Sequence, residues 1–396
     1  MNIDKQLKVQ KDLKEILDTY KSKLIDMYNR ANTKSKKMRI MCDLMSFSEI
    51  YQKAFPDEPL LCWETDNEFI DLMSISDNKT LNTFKEHVNK NNELYSKISS
   101  KVIEDYSKVN YPFYKNNCYS WNKLNRLSNK EIIDITSSFL DDYDKNMYKM
   151  FIEKVNNLEL LYSDEWEDNI YEGVTNNIDC LNLNYISLNL AYGNNIDTAV
   201  TLVHENAHCF EYSLQFNKNI SLFAYNTPFS EVCSCFFEYA FLNYLKDNRI
   251  YLNDTNLCLD AYYKQIFSSM FEVNLLTKMD DVELCDNCSM HFNDLELNKY
   301  ADSIKEKVNF YDLVNLGENI NVINSYIYGF GRTFGIYMYN NYKKDPELFK
   351  RNLNNVLCSY PLVNDISSFE SIGISKDNLL NSSIMKKELI KNIKDF

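Results

Sequence analysis

Residues 204–208 read His-Glu-Asn-Ala-His, an arrangement whose types and spacing suit one chemistry above others. On a helix, positions i and i+4 share a face, so the imidazoles of His204 and His208 can point at one cation. Glu205 sits one residue on, where its carboxylate can take a proton from an attacking water. A divalent zinc at such a site acts as a Lewis acid and lowers the pKa of its water toward about 7, so the pattern points to hydrolysis of an amide. The competing reading is two core histidines meeting by accident. With 4 His in 396 residues, a chance match is expected on the order of a few times per thousand such chains.

A catalytic zinc needs a third protein ligand and an open position. Glu231 supplies one, lying 23 residues beyond His208 in the apolar run Phe229-Ser230-Glu231-Val232-Cys233. An uncompensated carboxylate in such a run is costly, and a cation offsets that cost. Glu238, two turns later, either orients one of the histidines or faces solvent. Cys285 and Cys288 form a C-x-x-C with His291 beyond them. No second ligand pair stands at a suitable spacing, so they read as two thiols.

These side chains need elements to hold them. Between Asp179 and Tyr192, Leu181, Leu183, Tyr185, Ile186, Leu188 and Leu190 partly alternate with polar residues, which predicts a strand. Gly193-Asn194-Asn195 supplies a turn, and Asp197 or Thr198 is placed to cap a helix running to about Leu214. Thr227-Pro228 announces a second helix reaching about Leu245. Upstream, three- and four-residue apolar spacings in Leu13–Tyr28 and Met38–Phe55 predict helices, and another begins near Ser128. The expected division is an N-terminal helical region, 1–125, and a zinc-peptidase catalytic domain, 126–396.

Composition supports a mainly helical chain, because 7 Gly and 6 Pro in 396 residues leave little turn chemistry. The net charge of -14 and pI near 4.9 disfavour nucleic acid as a partner. The polar start of the chain and the lack of any apolar run near 18 residues predict a cytoplasmic protein with no membrane partner. Eleven cysteines, several in apolar runs, read mostly as reduced core thiols.

The residues also resemble the oligoendopeptidase F and thimet oligopeptidase family of zinc peptidases, the gluzincins. In that family an edge strand leads through a turn to the H-E-x-x-H helix, as Tyr185–Asn189 leads to His204 here. The family run E-x-x-S-x-x-x-E is matched by Glu231, Ser234 and Glu238. Tyr263–Phe267 with Phe271-Glu272, and Tyr326–Phe330 with Tyr337–Glu347, resemble later family segments, so the likeness spans roughly residues 135 to 375. It implies a two-lobed helical metallopeptidase with a small β-sheet edging a deep active-site cleft, one Zn²⁺ per chain, and short peptide substrates. It also implies that Tyr326 and Tyr328 donate hydrogen bonds to the substrate carbonyl and the oxyanion. The chain departs from the pattern at Ala207 (family Gly), at Glu211 (family His) and at Ile320, where the family has a His. It is shorter than typical members, and Gly173–Asn177 replaces a Gly-rich substrate loop. Two alternatives accompany the endopeptidase reading. One is a zinc carboxypeptidase using Arg332 to hold the substrate carboxylate; the other is a zinc-containing peptide-binding protein without turnover.

Overall fold

The computed structural model describes residues 3–55, 86, 90–91, 93–102, 124–163, 173–189, 194–216, 228–276, 320–358 and 365–380. It is mostly helical with one small sheet, and it divides into two compact units: residues 1–78 with 126–217, and 79–125 with 218–396. The C-x-x-C segment lies outside the described residues.

The first unit opens with helices α1 (Ile3–Arg30) and α2 (Lys34–Ala54), joined where Thr33 caps α2 by accepting from Lys36 N. Tyr51 on α2 donates its hydroxyl to Asp18 on α1 at 2.9 Å. Helix α3 (Asn129–Tyr143) starts where the sequence places it. Ser128 accepts from Glu131 N while its own N–H donates to the Glu131 carboxylate at 2.8 Å, a reciprocal cap. Asp144 ends α3 and caps α4 (Lys145–Asn156), its carboxylate accepting from Asn146 N and Met147 N.

Three strands follow: β1 (Leu160–Ser163), β2 (Gly173–Ile178) and β3 (Leu183–Asn189), in spatial order β1-β3-β2. The strand expected at a sheet edge is therefore the central one of those described. It runs parallel to β1 and antiparallel to β2, and Tyr185, Ile186, Ser187 and Leu188 are all buried. Cover on both faces is why its alternation is only partial. A 3₁₀ turn, Asp179–Leu181, links β2 to β3 through Asn182 in the left-handed region (φ 52°). Asp43 on α2 holds that turn, accepting from Asp179 N at 3.0 Å and Cys180 N at 2.7 Å.

Helix α5 (Ile196–Phe216) packs on β2 and β3. Its cap differs from expectation. Asn195 Oδ1 accepts from Asp197 N and Thr198 N, and Thr198 Oγ1 accepts from Asn195 N at 3.3 Å, so Asn195 is the cap and Thr198 its reciprocal partner.

In the second unit, α6 (Pro228–Asp247), α7 (Leu252–Leu276) and α8 (Ile320–Tyr342) pack together. Helix α6 is apolar nearly all round and buried to match, from Val232 to Leu245. Gly331 and Gly335 let α8 approach it. A Cβ on Gly335 would meet Cys235 C and Phe236 N at 2.9 Å, so only glycine fits. Tyr95, in the helical segment 93–102, stacks on Phe330 with centroids 4.5 Å apart. Helices α9 (Pro346–Leu357), α10 (Asp365–Ser371) and α11 (Lys376–Leu380) complete the described chain. No described helix is long and apolar enough to cross a membrane.

Candidate metal centre

Helix α5 brings His204 and His208 onto one face, with their Nε2 atoms 3.2 Å apart and the rings steeply inclined at 73°. Two zinc–nitrogen bonds of about 2.0–2.1 Å meeting near the tetrahedral angle require a nitrogen separation of roughly 3.3 Å. The pair therefore fits a shared cation, although the same distance also suits an N–H···N hydrogen bond between two neutral rings. His204 and Glu205 are each 6% exposed, and His208 is half-buried.

Glu205 meets the sheet. Thr175 on β2 places its hydroxyl 2.7 Å from Glu205 Oε2, with the Glu205 carbonyl also in reach at 2.9 Å. Lys53 on α2 adds positive charge nearby. Burial lowers its pKa, and Glu49 and Glu205 oppose that shift. Cys209, next in sequence to His208, is fully buried, and burial pushes its thiol up to about 11. Glu211, one of the positions where the sequence departs from the family pattern, is buried and accepts from Gln215 at 2.8 Å.

In the second unit Glu231 occupies the first turn of α6 and is half-buried, with the Ser234 hydroxyl 2.9 Å from both its carboxylate and its carbonyl. That contact explains the E-x-x-S spacing, because residues three apart on a helix are neighbours. Glu238 does not face solvent. It is 6% exposed and pairs with Arg332 on α8, Nε to Oε2 3.5 Å. The guanidinium lies 5.8 Å from the Tyr262 ring centroid and 5.2 Å from that of Tyr328. Burial, the largest influence, disfavours its charge, but Glu238 together with Cys235, Tyr262 and Tyr328 more than offsets it and the pKa is raised. Cys235 is driven the other way from reactivity, its thiol pKa raised by burial and then by Glu238.

The structure thus gathers His204, Glu205 and His208 on one helix and sets half-buried Tyr328 beside Arg332. Tyr326 and Ile320 belong to α8, but their side chains lie outside those described. Sequence reasoning missed Thr175 and the Glu238–Arg332 pair. Two glycines four apart, Gly331 and Gly335, were the available sign that α8 packs closely on a neighbour.

No family model matches the sequence, and no curated protein does. Solved structures with a similar fold include a candidate oligoendopeptidase F from Bacillus anthracis str. Ames, 11% identical over 89% of this chain and 61% of its own, with TM-score 0.47. Another candidate oligoendopeptidase F is 10% identical over 95% and 65% of the two chains, with TM-score 0.49. A candidate peptidase from Chlamydophila abortus is 11% identical over 95% and 63%, with TM-score 0.48. The chain spans only 61%, 65% and 63% of the lengths of these three proteins. At such identity the likeness is one of fold, so the chemistry proposed below rests on this chain's side chains.

Proposed function

We propose that the chain is a zinc-dependent endopeptidase acting on short peptides, with His204, His208 and Glu231 as metal ligands and Glu205 as general base. The observation that carries this is the 3.2 Å approach of the two imidazole nitrogens beside a buried carboxylate. Zinc, when bound, supplies Lewis acidity toward the scissile carbonyl and acidifies water. Glu205 removes the proton from the attacking water and returns it to the departing amine. Ser234 steadies the Glu231 carboxylate from the same helix turn. Tyr328, and Tyr326 with it, donate phenolic O–H groups toward the carbonyl oxygen as negative charge gathers there. The Arg332 guanidinium packs against the Tyr328 ring and steadies its orientation.

A carboxypeptidase would need a cationic group to fix the substrate's free carboxylate, for which Arg332 is the candidate. Here its charge is already met by Glu238 and enclosed by two aromatic rings, which favours the endopeptidase reading. Cleavage of a quenched fluorescent peptide, free or amidated at its C-terminus, tests both points. Equal rates on the two forms are expected, with zinc near one per chain. Loss of cleavage on amidation would move the assignment to an exopeptidase, and zinc without any cleavage would leave a peptide-binding protein.

A further inference from the structure

We infer that Thr175 is the positioning residue for Glu205, fixing one carboxylate oxygen so that the other stays open to the attacking water; this rests on the peptidase reading. Strand β2 lies unusually close to α5 at Gly173. A Cβ there would come within 2.5 Å of Thr201 Cγ2, 3.1 Å of Glu205 Cγ and 3.3 Å of Glu205 Oε1. Glycine therefore sets how closely strand and helix approach, and its missing side chain leaves space beside Oε1.

Two residues along, on the same strand face, stands Thr175. The β2–β3 register pairs it with Ile186, which is 1% exposed, so its direction is fixed by a packed sheet and not by a loop. Its single hydroxyl proton has two acceptors in reach, Oε2 at 2.7 Å and the Glu205 carbonyl at 2.9 Å, and the charged, nearer Oε2 is the stronger one. The next residue, Asn176, points to the opposite face and donates to Glu49 on α2 at 2.7 Å, which resists rotation of the strand. The carboxylate of a glutamate has three side-chain torsions to fix before it can accept a proton in line. Holding one oxygen by a short, charge-assisted bond removes much of that freedom before substrate arrives.

The test uses the full chain loaded with zinc, comparing wild type, Thr175→Val and Thr175→Ser. Valine keeps the branched shape and strand preference while deleting the hydroxyl. We expect T175V to lower kcat by about tenfold to a hundredfold with KM within about twofold, and T175S to recover kcat to within about threefold of wild type. A merely structural role would affect zinc content and KM as well. Unchanged kcat in T175V, or a serine variant as slow as the valine one, overturns the inference. A crystal structure of T175V without substrate gives a readout independent of turnover. The Glu205 carboxylate should leave its wild-type rotamer, and one that stays in place overturns the inference whatever the kinetics. If wild type cleaves no peptide, the peptidase reading fails by itself, and the rotamer still decides the role of Thr175.

Discussion

At the scale of single residues, the proposed site separates groups that hold metal from the group that moves a proton. Glu205→Gln keeps the size of the side chain and removes its basicity. It should retain about one zinc per chain while kcat falls by about 10² to 10⁴. His208→Ala should instead lose zinc, read by metal analysis after dialysis, and activity with it. A variant E205Q as active as wild type would sink the assignment of the base. Tyr328→Phe removes one phenolic donor and should cost about 10² to 10³ in kcat with little change in KM. That His204, Glu205 and His208 share one helix was legible, because the spacing i, i+1, i+4 is local and needs only a helix. Thr175 and Arg332 were not, since their partners lie 30 residues away at Glu205 and 94 away at Glu238, where only the packed fold decides who meets whom.

At the scale of elements, helices α3, α5 and α6 begin within a residue or two of their expected starts, because caps and N-terminal prolines act through neighbouring atoms. Strands β1 and β2 were invisible. Each is short, and Gly173-Val174-Thr175-Asn176-Asn177 offers two β-branched residues beside three poor strand formers, so pairing with β3 is what makes it a strand. Two consequences follow from packing. Gly335→Ala would gain up to about 1 kcal/mol of helix propensity, but its methyl group meets backbone atoms of α6 at 2.9 Å. Overpacking of that kind costs about 1–3 kcal/mol, so denaturant unfolding should show a net loss. A G335A protein as stable as wild type would mean that α8 and α6 can separate freely. The second concerns Asp43, whose carboxyl is raised to about 6 from 3.8, mainly by burial and further by Asp179, despite the N–H donors of the 3₁₀ turn. A raised acid makes the folded state prefer the proton, so its contribution is most favourable below pH 4 and is lost as pH rises through about 6. Asp43→Asn cannot titrate. Its stability relative to wild type should therefore grow between pH 4 and pH 7, by at most about 3 kcal/mol. A pH-independent difference would show that Asp43 is not held in this way.

At the scale of the whole molecule, scarcity of glycine and proline was enough to give a helical chain, and three of its seven glycines, Gly329, Gly331 and Gly335, fall on α8, where Gly331 and Gly335 lie against α6. The division into two compact units, each assembled from two stretches of sequence, could not be read from composition, because nothing in local pattern marks a chain that leaves a unit and returns to it. Metal binding has a consequence at this scale that needs no assay of catalysis. An ion held by the folded chain and not by the unfolded one stabilises it by about 2.7 kcal/mol at a hundredfold excess over Kd. For 396 residues, with an unfolding entropy of about 2 cal/mol/K per residue, this corresponds to a melting shift of roughly 3 °C. Adding a chelator to the zinc-loaded protein should lower Tm by about that amount, and His208→Ala should show no such drop. An equal drop in the variant would place the responsive metal elsewhere, with the Cys285–Cys288 segment the first alternative to examine. A wild type indifferent to chelator, under conditions that strip zinc in solution, would leave the paired imidazoles of α5 as a buried hydrogen bond and nothing more.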